Sequence, residues 1–122
     1  MSRERSLRSL RAVYPDAVGV EDARDPYEQL TLDHLFGDIW MRSGLSIRER
    51  RLLVTGVVAA LGRAELAELQ LLSALQNGEL TPEQVDEVVV HLTHYIGWPL
   101  GSVLHSAARR AVERYLSPPP GE

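Results

Sequence analysis

Apolar residues recur at helical spacing along most of the chain, and no period-two alternation persists anywhere. The clearest block is 81–96. Thr81 suits a helix N-cap, Pro82 the first helical position and Gln84 the third position of a capping box. Val85, Val88, Val89, Leu92 and Ile96 then form one apolar stripe. Pro99 constrains the end of the helix, because the residue before a proline avoids the α conformation. Upstream, Leu7, Leu10 and Val13 predict a short helix over 2–13 with a fringe of Arg3, Arg5, Arg8 and Arg11, and residues 14–25 read as a loop. Asp25-Pro26-Tyr27-Glu28 is a capped helix start, and that helix should run to about Met41 with Leu32, Leu35, Phe36 and Ile39 inward. Ser46 to Glu49 is a second capping box. The helix it opens, to about Leu61, is apolar nearly all round, which predicts a central helix covered by others. Gly56 within it predicts a close helix contact. Helices over 64–76, stopped by Asn77-Gly78, and over 99–116 complete the set. The expected fold is all-α, a compact bundle of five to six helices. An N-terminal arm and loop occupy 1–25, the helical domain 26–116 and a disordered tail 117–122.

Composition narrows the chemistry. The chain has 122 residues, 44% of them hydrophobic but only 6% aromatic, so Leu, Val and Ala must fill the core. The formal net charge of −4 argues against a general nucleic-acid binder. No cysteine is present, which excludes thiol catalysis, disulfides and thiolate metal sites. All 13 basic residues are Arg, so lysine Schiff-base chemistry is excluded as well. That Arg-only, Ala- and Leu-rich usage points to a GC-rich bacterial genome. No apolar run approaches the roughly 18 residues that span a membrane, and the first residues lack an apolar signal core. The expectation is a cytoplasmic protein with no membrane or nucleic-acid partner.

Two constellations could carry chemistry. Glu87, His91 and His94 fall within about 60° of one another on a helix, a spacing that can hold a divalent ion. A solvated polar face opposite the valine stripe accounts for them more simply, and no metal or other cofactor is expected. Tyr95 stands four residues after His91, within reach of a shared hydrogen bond. The second constellation, Trp40-Met41-Arg42-Ser43-Gly44-Leu45, puts an aromatic and an Arg at a helix end, where an Arg can grip a carboxylate. Arg48, Arg50 and Arg51 crowd the start of the next helix, where cations are disfavoured, so they should be solvated or interfacial.

A series of short segments, in order and at the right spacing, carries a resemblance. It comprises Phe36-Gly37-Asp38-Ile39-Trp40, Arg42, Gly44-Leu45, Arg50, the stretch VVAALG from Val57 to Gly62, Ala74-Leu75-Gln76-Asn77-Gly78, Thr81 to Gln84, and Tyr95-Ile96-Gly97-Trp98-Pro99. Together these resemble the carboxymuconolactone decarboxylase family, which includes alkylhydroperoxidase D-like proteins, over roughly residues 30–105. The resemblance implies an all-α subunit that assembles as trimers or hexamers, with pockets between helices near subunit contacts. It also implies metal-free loss of carbon dioxide from a carboxylated lactone.

The family's reactive groups do not carry over. Where the peroxidase branch has Cys-x-x-Cys, this chain has Arg63 and Leu66. Where the family usually has a His eight residues before the motif glycine, it has Gln70. The acid that often follows the motif arginine, Arg50, is replaced by Arg51. Thiol peroxidase activity is therefore excluded, and two readings stay open. In one, the protein is a lyase, decarboxylase or isomerase acting on a small acidic molecule. Arg42 would hold the anion, Gln70 would hydrogen-bond where the family's His works, Tyr95 or His94 would move a proton, and Trp40, Arg50 and Trp98 would line the ligand. In the other, it is a non-catalytic homo-oligomeric ligand-binding or scaffold protein.

Overall fold

The computed structural model describes residues 3–17 and 23–119. The predicted tail at 120–122 and the middle of the predicted 14–25 loop lie outside them. Among the described residues the structure is all helical, with no strand. The helices are α1 (Arg3–Val13), α2 (Pro26–Gln29), α3 (Ile47–Ala60), α4 (Ala64–Gln76), α5 (Pro82–Ile96) and α6 (Trp98–Leu116). No helix among them is long and apolar enough to cross a membrane. The chain divides into two compact units, Met1–Arg50 and Arg51–Glu122.

In the first unit, Asp25 caps α2 by accepting a hydrogen bond from the Glu28 amide at 2.8 Å. The expected continuous helix to Met41 does not persist. It widens to π winding over Leu30–Phe36, then tightens to a 3-10 turn at Ile39–Met41. The winding explains which residues are inward. Leu32, Phe36 and Trp40, spaced by four, are buried, whereas Leu35 is exposed. Phe36 stacks on Trp40 with ring centroids 6.2 Å apart, and Tyr14 meets Phe36 edge-on at 5.5 Å. Arg3 of the basic fringe pairs with Asp33 at 3.0 Å. The Ser46–Glu49 capping box forms as predicted.

In the second unit α6 packs on both α4 and α5. Its inward face is Leu104, Ala107, Ala108, Ala111 and Val112, and the small alanines let the neighbouring helices approach. They meet Leu71, Leu72 and Leu75 of α4 and Val85 and Val89 of α5 in one core. The capping box at Thr81 and Gln84 is complete in both directions. The tight contact expected at Gly56 occurs elsewhere. A methyl group at Gly56 would lie 3.7 Å from Leu92, an ordinary contact, whereas one at Gly101 would collide with the Thr93 side chain. Helices α5 and α6 therefore approach closely at Gly101. Between these helices Gly97 turns the chain with φ of 93°, a conformation that favours glycine.

Glu68 of α4 ties down the outer edge of α6. It accepts from Arg110 at 2.8 Å and from Arg114 at 2.9 Å. Burial pushes its carboxyl up, but the two guanidinium hydrogen bonds outweigh this and hold its pKa below the ordinary value.

Two consequences are measurable. Gly101→Ala should destabilise the protein by about 1–3 kcal/mol in urea unfolding, because buried, β-branched Thr93 cannot swing aside. Because the folded pKa of Glu68 is lowered, its contribution is present above the unfolded carboxylate pKa and lost as pH falls through the folded one. Glu68→Gln should therefore lower the urea midpoint at pH 7, and the gap from the parent should close as the pH drops below about 4.

Candidate functional site

Arg51 and Gln70, the positions at which the resemblance implies an acid and an imidazole, come together. Arg51 is the second unit's first residue and lies on the inward face of α3 with Thr55, Val58 and Ala59. Its side chain is fully buried, at 0% exposure. Arg51 Nη1 donates to Gln70 Oε1 of α4 at 2.8 Å. Its Nε and Nη2 donate to the two carboxylate oxygens of Glu79 at 3.0 and 3.2 Å, a bidentate pair. The expectation that Arg51 is solvated or interfacial is thus overturned. The face of α3 on which it sits turns inward, and an acid is there to receive it.

Local structure delivers Glu79. Helix α4 ends in a Schellman motif at Asn77-Gly78, with Gly78 at φ 71°. The Gly78 amide donates to Leu75 O and the Glu79 amide to Ala74 O. This reversal brings the Glu79 carboxylate back towards Arg51, and the Asn77 side-chain amide donates to it at 2.9 Å. Sequence reasoning missed Glu79. A signal existed: Arg51, Thr55, Val58 and Ala59 share one helical face, so an Arg in that register needs a buried acid.

The network can hold charge but is poorly suited to moving protons. Arg stays protonated at any relevant pH, and an amide does not titrate. Glu79 is the one ionisable acid among the four residues, and it is committed to the Arg51 pair.

The remaining candidates fall in other places. Trp40, Arg42 and Arg50 belong to the first unit. Trp40 is buried against Phe36, and Arg42 is exposed. Arg50 donates from Nη2 to the Arg42 carbonyl at 3.0 Å. In the second unit, Tyr95 is exposed and lies against His91 with ring centroids 5.2 Å apart. That is a ring contact where a hydrogen bond was expected. His94 and Trp98 line a groove of about 270 Å³ between α5 and α6, together with Val89, Val90 and His105, and Gln70 is not among its lining residues. His94 Nδ1 lies 2.6 Å from the Val90 carbonyl, and its ring meets Trp98 edge-on at 5.4 Å. Glu87, His91 and His94 do not form a group that could hold a metal ion, nor does any other such set among the described residues.

The all-helical fold agrees with comparison to known proteins. The model of the carboxymuconolactone decarboxylase family matches residues 25–111, and the chain belongs to that family. It is similar to a 4-carboxymuconolactone decarboxylase of Acinetobacter baylyi, with 27% identity over 89 residues. That match covers 72% of this chain and 66% of the relative, so the chain spans slightly under two thirds of the relative's length. No solved structure matches the chain.

Removing one partner of the buried network should be costly. Arg51→Ala strands the Glu79 carboxylate and should lower unfolding free energy by about 3–5 kcal/mol, measured by urea denaturation. Arg51→Met with Glu79→Gln leaves no buried charge and should recover most of that loss.

Proposed function

We propose that this protein is a member of the family that does not decarboxylate, a homo-oligomeric ligand-binding or scaffold protein built on the decarboxylase fold. One observation carries the reading. The positions where family members usually keep an acid and an imidazole are Arg51 and Gln70, held 2.8 Å apart and closed by Glu79. Loss of carbon dioxide leaves a carbanion or enolate that must gain a proton, so the site needs a group that can deliver one. Neither a guanidinium nor an amide does so near neutral pH.

Self-association has separate support. Leu53 and Val57 of α3 and Leu61 just past its end recur every four residues and are 61, 59 and 69% exposed. The sequence pattern asks for a covered helix, and this stripe is uncovered in one chain. A second copy is the simplest cover, since contiguous exposed apolar stripes mark association surfaces.

A second reading, a metal-free lyase or isomerase acting on a small acidic molecule, draws on His94. With Nδ1 donating to the Val90 carbonyl, its Nε2 is left as a base beside the α5–α6 groove.

Carbon dioxide release from 4-carboxymuconolactone separates the two. The parent should release it no faster than buffer. Release by the parent that disappears in His94→Ala would sink the first reading and establish the second. A triple variant, Arg51→Glu, Gln70→His and Glu79→Gln, restores the family's residue types and should gain release if the pair alone was missing. For assembly, Val57→Glu should reduce the molecular mass found by sedimentation to that of a single chain. An unchanged mass would place the contact elsewhere.

A further inference from the structure

The groove between α5 and α6 has a chemical character of its own. Trp98, Gly101, Ser102 and His105 follow one another at helical spacing and share one face of α6. Gly101 makes the floor, because it is pressed against Thr93 with no room for a side chain. Val89 and Val90 form the apolar wall, and Trp98, 65% exposed, offers a large flat surface. The groove thus has space and apolar area suited to one small planar ring.

Its polar groups are divided by role. No acid lines it, while Ser102 and His105 bring donors. The start of α6 adjoins it and is electrostatically bare. No side chain caps that terminus, and no acid occupies the first turn. The Gly101 amide donates to the Gly97 carbonyl, and Pro99 has no amide proton, which leaves the Trp98 and Leu100 amides as the orphan donors of the helix start. Those donors and the helix dipole favour negative charge. His94 plays the opposite part. A carbonyl can only accept, so Nδ1 within 2.6 Å of Val90 O carries the proton, and the neutral ring's Nε2 is an acceptor.

We propose that this groove binds a small aryl carboxylate with a hydrogen-bond donor on the ring edge away from the carboxylate. The ring lies against Trp98. The carboxylate takes hydrogen bonds from Ser102 and His105. The donor substituent is accepted by His94 Nε2. None of these residues belongs to the Arg51–Gln70–Glu79 network, so the inference stands whether or not that network supports catalysis.

The test is a titration of the isotopically labelled full chain, followed by amide and indole NMR shifts. The probes are 4-aminobenzoate, benzoate and benzamide. The expected result is saturable shifts at Trp98, Leu100, Ser102 and His105, with 4-aminobenzoate tightest and benzamide at least tenfold weaker than benzoate. His105→Ala should weaken benzoate by about tenfold, the effect of losing one hydrogen bond to a charged group. His94→Phe should remove the advantage of 4-aminobenzoate while leaving benzoate in place. These residues are exposed, so unchanged far-ultraviolet circular dichroism will show that the variants fold. Equal binding of benzamide and benzoate overturns the proposal, as do saturable shifts confined to other surfaces or no saturable shift with any probe. It also falls if the Trp98 and Val90 signals show the groove already covered by a second copy in the unliganded protein.

Discussion

A guanidinium with no exposure to water governs the second unit. Arg51 cannot shed its charge, and taking that charge out of water costs several kcal/mol before any partner is supplied. The partners arrive from separate places: Gln70 from the middle of α4, Glu79 from the turn after it, and Asn77 as a brace on Glu79. The pair therefore constrains where α3 stands against α4 and how α4 must end. The Schellman turn at Gly78 is part of the same requirement, because without it the carboxylate would not face back towards α3. Apolar packing of Val58 and Ala59 is tolerant of small shifts, whereas a bidentate pair is not.

Membership of a decarboxylase family does not settle the activity, since a fold fixes where residues meet and leaves open which residues they are. The helices still bring positions 51 and 70 within hydrogen-bond distance. The pair found there, a guanidinium and an amide, is suited to cohesion. The groove over Gly101 shows the converse situation, in which a close helix crossing leaves space beside it and exposed polar side chains line that space. Function in this chain is to be sought where side chains are still free to meet a ligand.

Helix positions were largely legible because caps and breakers are local. Thr81 with Gln84, Ser46 with Glu49, and the glycines at 62 and 78 mark ends that the structure keeps to within a residue or two. The π winding of Leu30–Phe36 was not legible. A spacing of four between Leu32, Phe36 and Trp40 also fits an ordinary helix, and stacking of the two rings resolves the ambiguity only in three dimensions. At the site, Arg51 and Gln70 could be singled out from the sequence, through the resemblance. Their new partnership could not, because Glu79 depends on a turn geometry that sequence spacing does not display. That the outer stripe of α3 is open in the single chain could not be read for a related reason: periodicity reports that a face is apolar and says nothing of what covers it.

The buried network also bears on which substitutions the chain can accept. Changing Arg51 alone to an acid would set two carboxylates against each other in the core. Changing Glu79 alone would abandon the guanidinium, and Gln70→His would take away the acceptor facing Nη1. Each of these single changes thus gives a less stable protein. The three residues act as an interlock: none can be exchanged alone for a group of different charge without leaving a buried partner unmatched, so this part of the core tolerates substitution only in concert.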